Sequence, residues 1–369
     1  MTPINKISGI LLGTAVGDAL GLPSEGMKPS TINKLGWTKH WKHRFLFSRG
    51  MWSDDTEHTI MLTQALLASE GDVKKFTAKF AWELRWWLLG LPAGVGMATA
   101  RSIIKLWLGF PASRSGVFSA GNGPMMRTAI IAASFPEDSS QRRSYTSAHT
   151  RLTHSDPKAL TATLAITELT VLLIHSTTPP AMSEVLKICQ NCVSCHVYPS
   201  PKPPSPDDPW LSILEQINKG IKNQKPLSEF LTSIGINPAD GISGYAYHTV
   251  PAVIYAGVLH GWDYRKTITS LIAAGGDTDS TAAIAGALCG AYGGVESVPI
   301  DWINHLSEWP ATTRDLNRLA KAVHSGTPLR IRPRWSPALL LRNLVFFITV
   351  LIHGFARLLP AQLRGALKF

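Results

Sequence analysis

Apolar residues recur at helical spacing along most of the chain. Ile7, Ile10, Leu11 and Leu12 predict a helix over residues 4–20, and Ile60, Met61, Ala65 and Leu67 continue another from Ser53 to about residue 69. The same period predicts helices over 76–89, 99–108, 159–175, 211–221, 226–234, 244–259 and 266–274, and a small-residue helix over 281–291. An alanine-rich helix is expected after Met125-Met126-Arg127. No alternating strand pattern of useful length occurs, so the predicted fold class is all-α, with the working residues on loops at helix ends. Between the helices lie Gly21-Leu22-Pro23, the glycine-rich stretches 90–96 and 118–124, and a proline-rich insertion at about 198–210. Residues 31–50 carry Trp37, Lys39, His40, Trp41, Lys42, His43 and Arg44 and read as a loop or short hairpin. No nucleic-acid motif accompanies them.

Gly9, Gly13, Gly17 and Gly21 recur at every fourth position of the first helix. Each glycine costs about 1 kcal/mol of helix stability relative to alanine, so four on one face imply that another backbone packs against them. Asp18 interrupts the apolar run and argues against a secretory leader. It lies near the helix end, where the dipole disfavours an acid. The tryptophans at 82, 86 and 87 share a helical stripe and read as core.

The composition is that of a globular protein: 369 residues, 45% hydrophobic and 17% charged, with a net charge of +11. Much of the excess is local. From Arg330 to Phe369 there are seven basic residues (Arg330, Arg332, Arg334, Arg342, Arg357, Arg364, Lys368) and no acid. The expected division is a main domain over 1–325 and a basic, hydrophobic C-terminal tail over 326–369. The tail's uninterrupted apolar stretch, 344–352, is shorter than the roughly 20 residues a spanning helix needs. It reads as an interfacial helix or one docked on the main domain, with peripheral membrane contact as an expectation. Four cysteines make no disulfide framework, and a reducing, cytoplasmic setting is expected. Cys189, Cys192, Cys195 and His196 together resemble a haem-attachment or zinc pattern, but four ligands within eight residues would strain a closed site.

The candidate chemistry lies at two acidic helix starts. Ser53-Asp54-Asp55-Thr56 and Asp277-Thr278-Asp279-Ser280 each place more oxygen-bearing side chains in one first turn than capping uses. Two such starts in one chain suggest a shared cation. Glu25, read alone, is a solvated loop acid. The Gly121-Asn122-Gly123 turn runs into a helix and could aim amides at a phosphate, although it is not a Walker loop. His154, before the Asp156-Pro157 helix start, reads by itself as a structural hydrogen-bonder.

Taken in order, these pieces resemble the ADP-ribosylglycohydrolase family, the group that contains dinitrogenase-reductase-activating glycohydrolase and crystallin J1. The matching segments are residues 13–21 with Glu25; Ser53-Asp54-Asp55-Thr56; Gly121-Asn122-Gly123 with Met126-Arg127; His154-Ser155-Asp156-Pro157; Gly244-Tyr245 with Thr249; and Gly275-Gly276-Asp277-Thr278-Asp279-Ser280. They extend over about 7–294. The resemblance implies a compact multi-helix domain with two Mg2+ ions, sometimes Mn2+, between helix N-termini. Ser53, Asp54, Asp55, Asp277, Asp279 and Ser280 match its metal ligands. It implies hydrolysis of the bond between ADP-ribose and an acceptor, a protein side chain or a small molecule, with Glu25, Asp54, Asp55 and Asp279 as catalytic residues. Glu25 matches a glutamate that positions or activates water. Gly94, Gly121, Asn122, Gly123, Met126, His154 and Tyr245 match substrate-binding positions. Arginine-specific members carry an Asp-Ile-Gly loop where this chain has Ala93-Gly94-Val95-Gly96. That form is closer to the serine-linkage branch, so an O-linked ADP-ribose is at least as fitting. The other readings are a catalytically weak ADP-ribose-binding or regulatory protein of the same fold, and a membrane-surface adaptor built on the tail.

Overall fold

The computed structural model describes residues 2–193 and 208–358. Among these the chain is all-α; its strand-like features are isolated bridges between loops. The first part contains α1 (Pro3–Gly21), α2 (Pro29–Lys34), α3 (Asp54–Leu67), α4 (Val73–Leu89) and α5 (Met97–Trp107). The second contains α6 (Met125–Ser134), α7 (Ser139–Thr153), α8 (Pro157–His175) and α9 (Met182–Asn191). Beyond residue 208 follow α10 (Pro209–Lys222), α11 (Leu227–Ser233), α12 (Ala246–Leu259), α13 (Tyr264–Ala273) and α14 (Thr278–Gly293). The chain continues through α15 (Ile300–Asn304), α16 (Thr313–Ser325) and α17 (Pro337–Leu358). Residues 31–50 form α2 and a turn closed by one Phe45–Arg49 bridge, not a hairpin.

Most helix starts follow local chemistry. Asp72, Asp138, Asp156, Asp208 and Asp263 each accept a hydrogen bond from a first-turn amide, and Pro157 and Pro209 sit where a missing N–H does no harm. α16 begins with a Thr312–Asp315 capping box and buries Leu316, Leu319, Ala320 and Val323.

The antiparallel pair of α1 and α14 forms the centre of the molecule. A Cβ at Gly9, Gly13, Gly17 or Gly21 would collide with the carbonyl of Gly290, Gly286, Ala282 or Thr278 respectively. The glycine row therefore exists so that two backbones can touch along four turns. Tyr264 Oη donates to the Gly13 carbonyl (2.7 Å) and Thr278 Oγ1 to that of Gly21 (2.8 Å), fixing the register. One apolar cluster, from α8, α10, α12 and α13, packs on one side of this pair. A second, from α3, α4, α5, α7 and α16, packs on the other. Among the described residues, three helices are long and apolar enough to cross a membrane by composition. α1 is enclosed in the core and α8 is mostly buried, so their apolarity serves packing; α17 is mostly exposed.

Cys189 and Cys192 belong to the first apolar cluster, and burial pushes the Cys189 thiol up to about 12. Cys195, His196 and most of the proline-rich insertion lie outside the described residues.

The basic run after residue 329 is tied to the main body. Arg330 and Arg334 pair with the buried Glu83 carboxylate (2.6 and 2.9 Å), and Arg332 lies 3.5 Å from Glu57. Gln64 accepts hydrogen bonds from the Ile331 and Arg332 amides. Arg342 holds Glu308 through two nitrogens (2.7 and 3.1 Å) and donates to the Trp52 carbonyl (2.6 Å). Asn343 donates to the Gly90 carbonyl (2.6 Å), anchoring α17 on the loop after α4.

Candidate active site

The α1–α14 contact brings the C-terminal end of α1 beside the N-terminal end of α14. Gly275 and Gly276 make the turn into α14 with φ of 71° and 83°, a region that favours glycine. Backbone bonds stitch this turn on both sides. Gly26 N–H donates to Gly276 O (2.8 Å), Gly276 N–H to Met27 O (2.9 Å), and Asp277 N–H to Ile242 O (2.7 Å). The loop that carries Glu25 is thereby fixed next to Asp277.

α3 is brought to the same place by Asp18. This buried carboxylate accepts from the Ser53 amide (2.9 Å), the Thr56 amide (3.1 Å) and the Thr56 hydroxyl (2.6 Å). An acid at the unfavourable end of α1 thus serves as a cap for the favourable end of α3. Burial pushes its carboxyl up to about 6, against the pull of those hydrogen bonds. Ser280 Oγ donates to Asp55 Oδ2 (3.4 Å), joining two helix starts 225 residues apart, and Ser53 Oγ donates to the same oxygen (3.2 Å).

The result is a pocket of about 440 Å³, within the usual range of roughly 300–1,000 Å³ for small-molecule sites. Its lining includes Glu25, Ser53, Asp54, Asp277, Asp279 and Ser280. Asp55 lies just behind them, fully buried, and its Oδ1 has no hydrogen-bond partner. Burial and the neighbouring acids Asp18 and Glu25 raise Asp54 to about 8. Burial holds Asp55 and Asp279 well above the carboxylate range; Asp18 and Asp54 add to this at Asp55, and Glu25 and Asp277 at Asp279. The buried Arg127 guanidinium faces Asp54 and Asp55, but burial lowers it to about 9. Such a cluster of anions needs positive charge that the protein supplies only in part. A hard, oxygen-seeking cation matches these donors and the orphaned Asp55 oxygen. Among the described residues, no three His, Cys, Asp or Glu side chains converge on one coordination point. The acids share one end of the pocket without being drawn together.

Further along the pocket lie Gly94, Gly121, Asn122, Gly123, Met126 and His154. The turn at 121–123 differs from a free amide fan. Gly121 N–H donates to Ser119 Oγ and Asn122 N–H to Gly244 O. Its glycines matter because a Cβ at either position would press on the His154 ring, 3.1–3.2 Å away. The Asn122 side chain donates to Asp277 Oδ2 (2.6 Å) and Thr249 Oγ1 (3.0 Å), so it braces an acid from α14 against α12. His154 is buried against Thr153 Oγ1 (2.9 Å), and burial with the Arg127 charge holds its ring down at about 3, hence neutral. Tyr245 is not part of the pocket lining; its ring packs against Tyr247 and His248 with Lys158 above it. Phe346 and Val350 of α17 do line the pocket, next to Leu22 and Ala93. Sequence reasoning missed them and missed the role of Asp18.

The model of the family described as ADP-ribosylglycohydrolase matches residues 1–332. A protein of Archaeoglobus fulgidus without assigned function is 26% identical over 82% of this chain and 92% of its own length. The ADP-ribosyl-[dinitrogen reductase] glycohydrolase of Rhodospirillum rubrum is 24% identical over 82% of this chain and 90% of its own. ADP-ribosylhydrolase ARH3 of Danio rerio is 23% identical, with 81% and 85% covered. A solved structure titled ADP-ribosylglycohydrolase-related protein complex shares the fold, with a TM-score of 0.61 over 88% of this chain and 99% of that one at 24% identity. With its motifs in order and its helix starts gathered at one pocket, this chain belongs to the ADP-ribosylglycohydrolase family, hydrolases of ADP-ribose linkages.

Proposed function

We propose that this chain cleaves the glycosidic bond between ADP-ribose and an uncharged, O-linked acceptor, using Mg2+ or Mn2+ held by Ser53, Asp54, Asp55, Asp277, Asp279 and Ser280. The observation that carries this reading is the meeting of two acidic helix starts in one pocket, bridged by the Ser280–Asp55 hydrogen bond. When bound, the ions supply a template and Lewis acid for ribose hydroxyls and water.

The chain's own groups account for the rest. Glu25, on the exposed pocket rim, orients a water and takes its proton as the water oxygen bonds to the anomeric carbon. The bond to the acceptor breaks with its electron pair going to the acceptor oxygen, which takes a proton from solvent as Glu25 returns to solvent the one it took from water. Positive charge developing on the ribose faces Asp54 and Asp279. The diphosphate lies along the glycine shelf at 121–123 beside Ser119, and neutral His154 backs that shelf. Elsewhere in the lining, residues 93–96 carry no acid to pair with a guanidinium, and Leu22, Phe346 and Val350 add an apolar wall beside Ala93. These features favour an O-linked acceptor over arginine.

The test measures ADP-ribose release from serine-linked and arginine-linked peptides, with Mg2+ and with chelator. Chelator-sensitive release, faster from serine, is expected. Tight ADP-ribose binding without release under any metal would contradict the reading and leave a binding protein of the same fold.

A further inference from the structure

The last described helix has two faces of opposite use. Leu339, Arg342, Asn343, Phe346, Thr349 and His353 recur at helical spacing and are buried against the main body. On the other side Leu341, Leu344, Ile348, Leu351 and Phe355 recur at the same spacing and are 41–65% exposed. This outer face is not a short patch. Its window Pro337–Phe355 has a mean hydropathy of 1.9, with only a third of it buried. Leu344 and Phe347 continue into a shallow groove with exposed Leu91, and Trp335 lies half-exposed just before the helix. An uninterrupted apolar face of this length is rare on a soluble monomer.

We propose that this face docks the protein on an anionic membrane surface, with α17 lying in the plane of the headgroups. Two observations choose this occupant. First, α17 cannot leave the body to span a bilayer without breaking the Arg342–Glu308 pair and the Asn343–Gly90 bond. A helix fixed along one side and apolar along the other buries its free side about 5–10 Å into the headgroup boundary. Second, the charge fits lipid better than a second copy. No acid occurs from residue 330 onward. Arg330, Arg332, Arg334 and Arg342 pair with Glu83, Glu57 and Glu308, and the sequence after the apolar face supplies three further basic residues, Arg357, Arg364 and Lys368. A second copy of this segment brings no acid to meet these bases, whereas anionic headgroups supply the opposite sign. The helix lies beyond the residues 1–332 that match the family model, and its buried edge reaches the pocket through Phe346 and Val350. Docking therefore sets the pocket beside the membrane surface, within reach of substrates attached there.

The experiment is co-sedimentation of the full chain with phosphatidylcholine vesicles, with and without phosphatidylserine. The comparison is a triple variant, Ile348→Gln, Leu351→Gln and Phe355→Gln, checked for the wild-type thermal transition. Binding to the anionic vesicles that weakens with salt, and falls about tenfold or more in the variant, is expected. Hydrogen exchange on the unmodified protein gives an independent reading, with slower exchange inside α17 when anionic vesicles are present. Failure to bind, equal binding by the variant, or unchanged exchange in α17 would each overturn the proposal. So would a dimer that the variant abolishes, since the occupant would then be a second copy.

Discussion

Replacing Arg342 by alanine tests whether the residues after 329 are part of the fold. The side chain is buried and makes four kinds of contact. It grips Glu308 through two nitrogens, donates to Trp52 O, lies 3.5 Å from Glu57 and covers the Phe346 ring at 4.6 Å. Its loss leaves Glu308 buried without its cation, and breaking a buried pair in this way costs about 3–5 kcal/mol. For a chain of 369 residues that is a fall in Tm of roughly 4–6 °C. The cost should depend on pH. Burial already raises Glu308 to about 7 in the folded protein, above its ordinary value, although Arg342 pulls it down. A group with a raised folded pKa stabilises the fold less as pH rises through that value. Removing Arg342 raises it further, so Glu308 stays protonated at pH 6 and remains a burden at pH 8. Differential scanning calorimetry of Arg342→Ala at both pH values, with Glu308→Gln and the double variant, reads the effect. The Arg342→Ala penalty is expected to be larger at pH 8, and smaller when Glu308 is already glutamine. A penalty below about 1 kcal/mol at both pH values, typical of an exposed pair, would refute the buried-clamp account.

Other consequences can be measured directly. Asp279→Ala should lower ADP-ribose release by more than about a hundredfold while the thermal transition persists; unchanged turnover would contradict its place in the site. Glu25→Gln should lower kcat by about 10²–10⁴-fold, more than it weakens ADP-ribose binding in a titration. Gly17→Val should destabilise by about 3 kcal/mol or more, because its Cβ meets the Ala282 carbonyl, and chemical denaturation will show it. Phe346→Ala should alter KM for ADP-ribose conjugates and leave the Kd of free ADP-ribose unchanged, as expected if the apolar wall of Leu22, Ala93 and Phe346 receives the acceptor; an equal change in both would contradict that assignment.

Much of the fold was legible because its signals are local. Helical spacing, aspartate caps and the glycine row of α1 each announce their structure within a few residues, and the row correctly implied a backbone partner. The capping box and apolar spacing of α16 were equally local and went unread. Other features depend on partners far away in sequence. Asp18 looked misplaced at the end of its own helix because the amides it caps belong to Ser53 and Thr56. The basic run after 329 looked like a surface property because Glu83, Glu57 and Glu308 are scattered through the chain. The Ser53-Asp54-Asp55 and Asp277-Thr278-Asp279-Ser280 starts suggested a shared cation by their surplus of oxygens, and family resemblance turned that into a named ligand set. The glycine turn at 121–123 suggested free amides for a phosphate, and the amides of Gly121 and Asn122 are used inside the protein, which leaves the turn as a shelf without a fan of free donors. Tyr245 matched a motif position, but its neighbour Gly244 reaches the pocket instead.

The central claim is that the two acidic helix starts make one cation site. Titration of Mn2+ into the protein, followed by electron paramagnetic resonance, counts the ions held without reference to turnover. Two saturable ions in the wild type, with loss of binding in both Asp55→Asn and Asp279→Asn, are predicted. Absence of saturable binding, or binding that either substitution leaves intact, would contradict it.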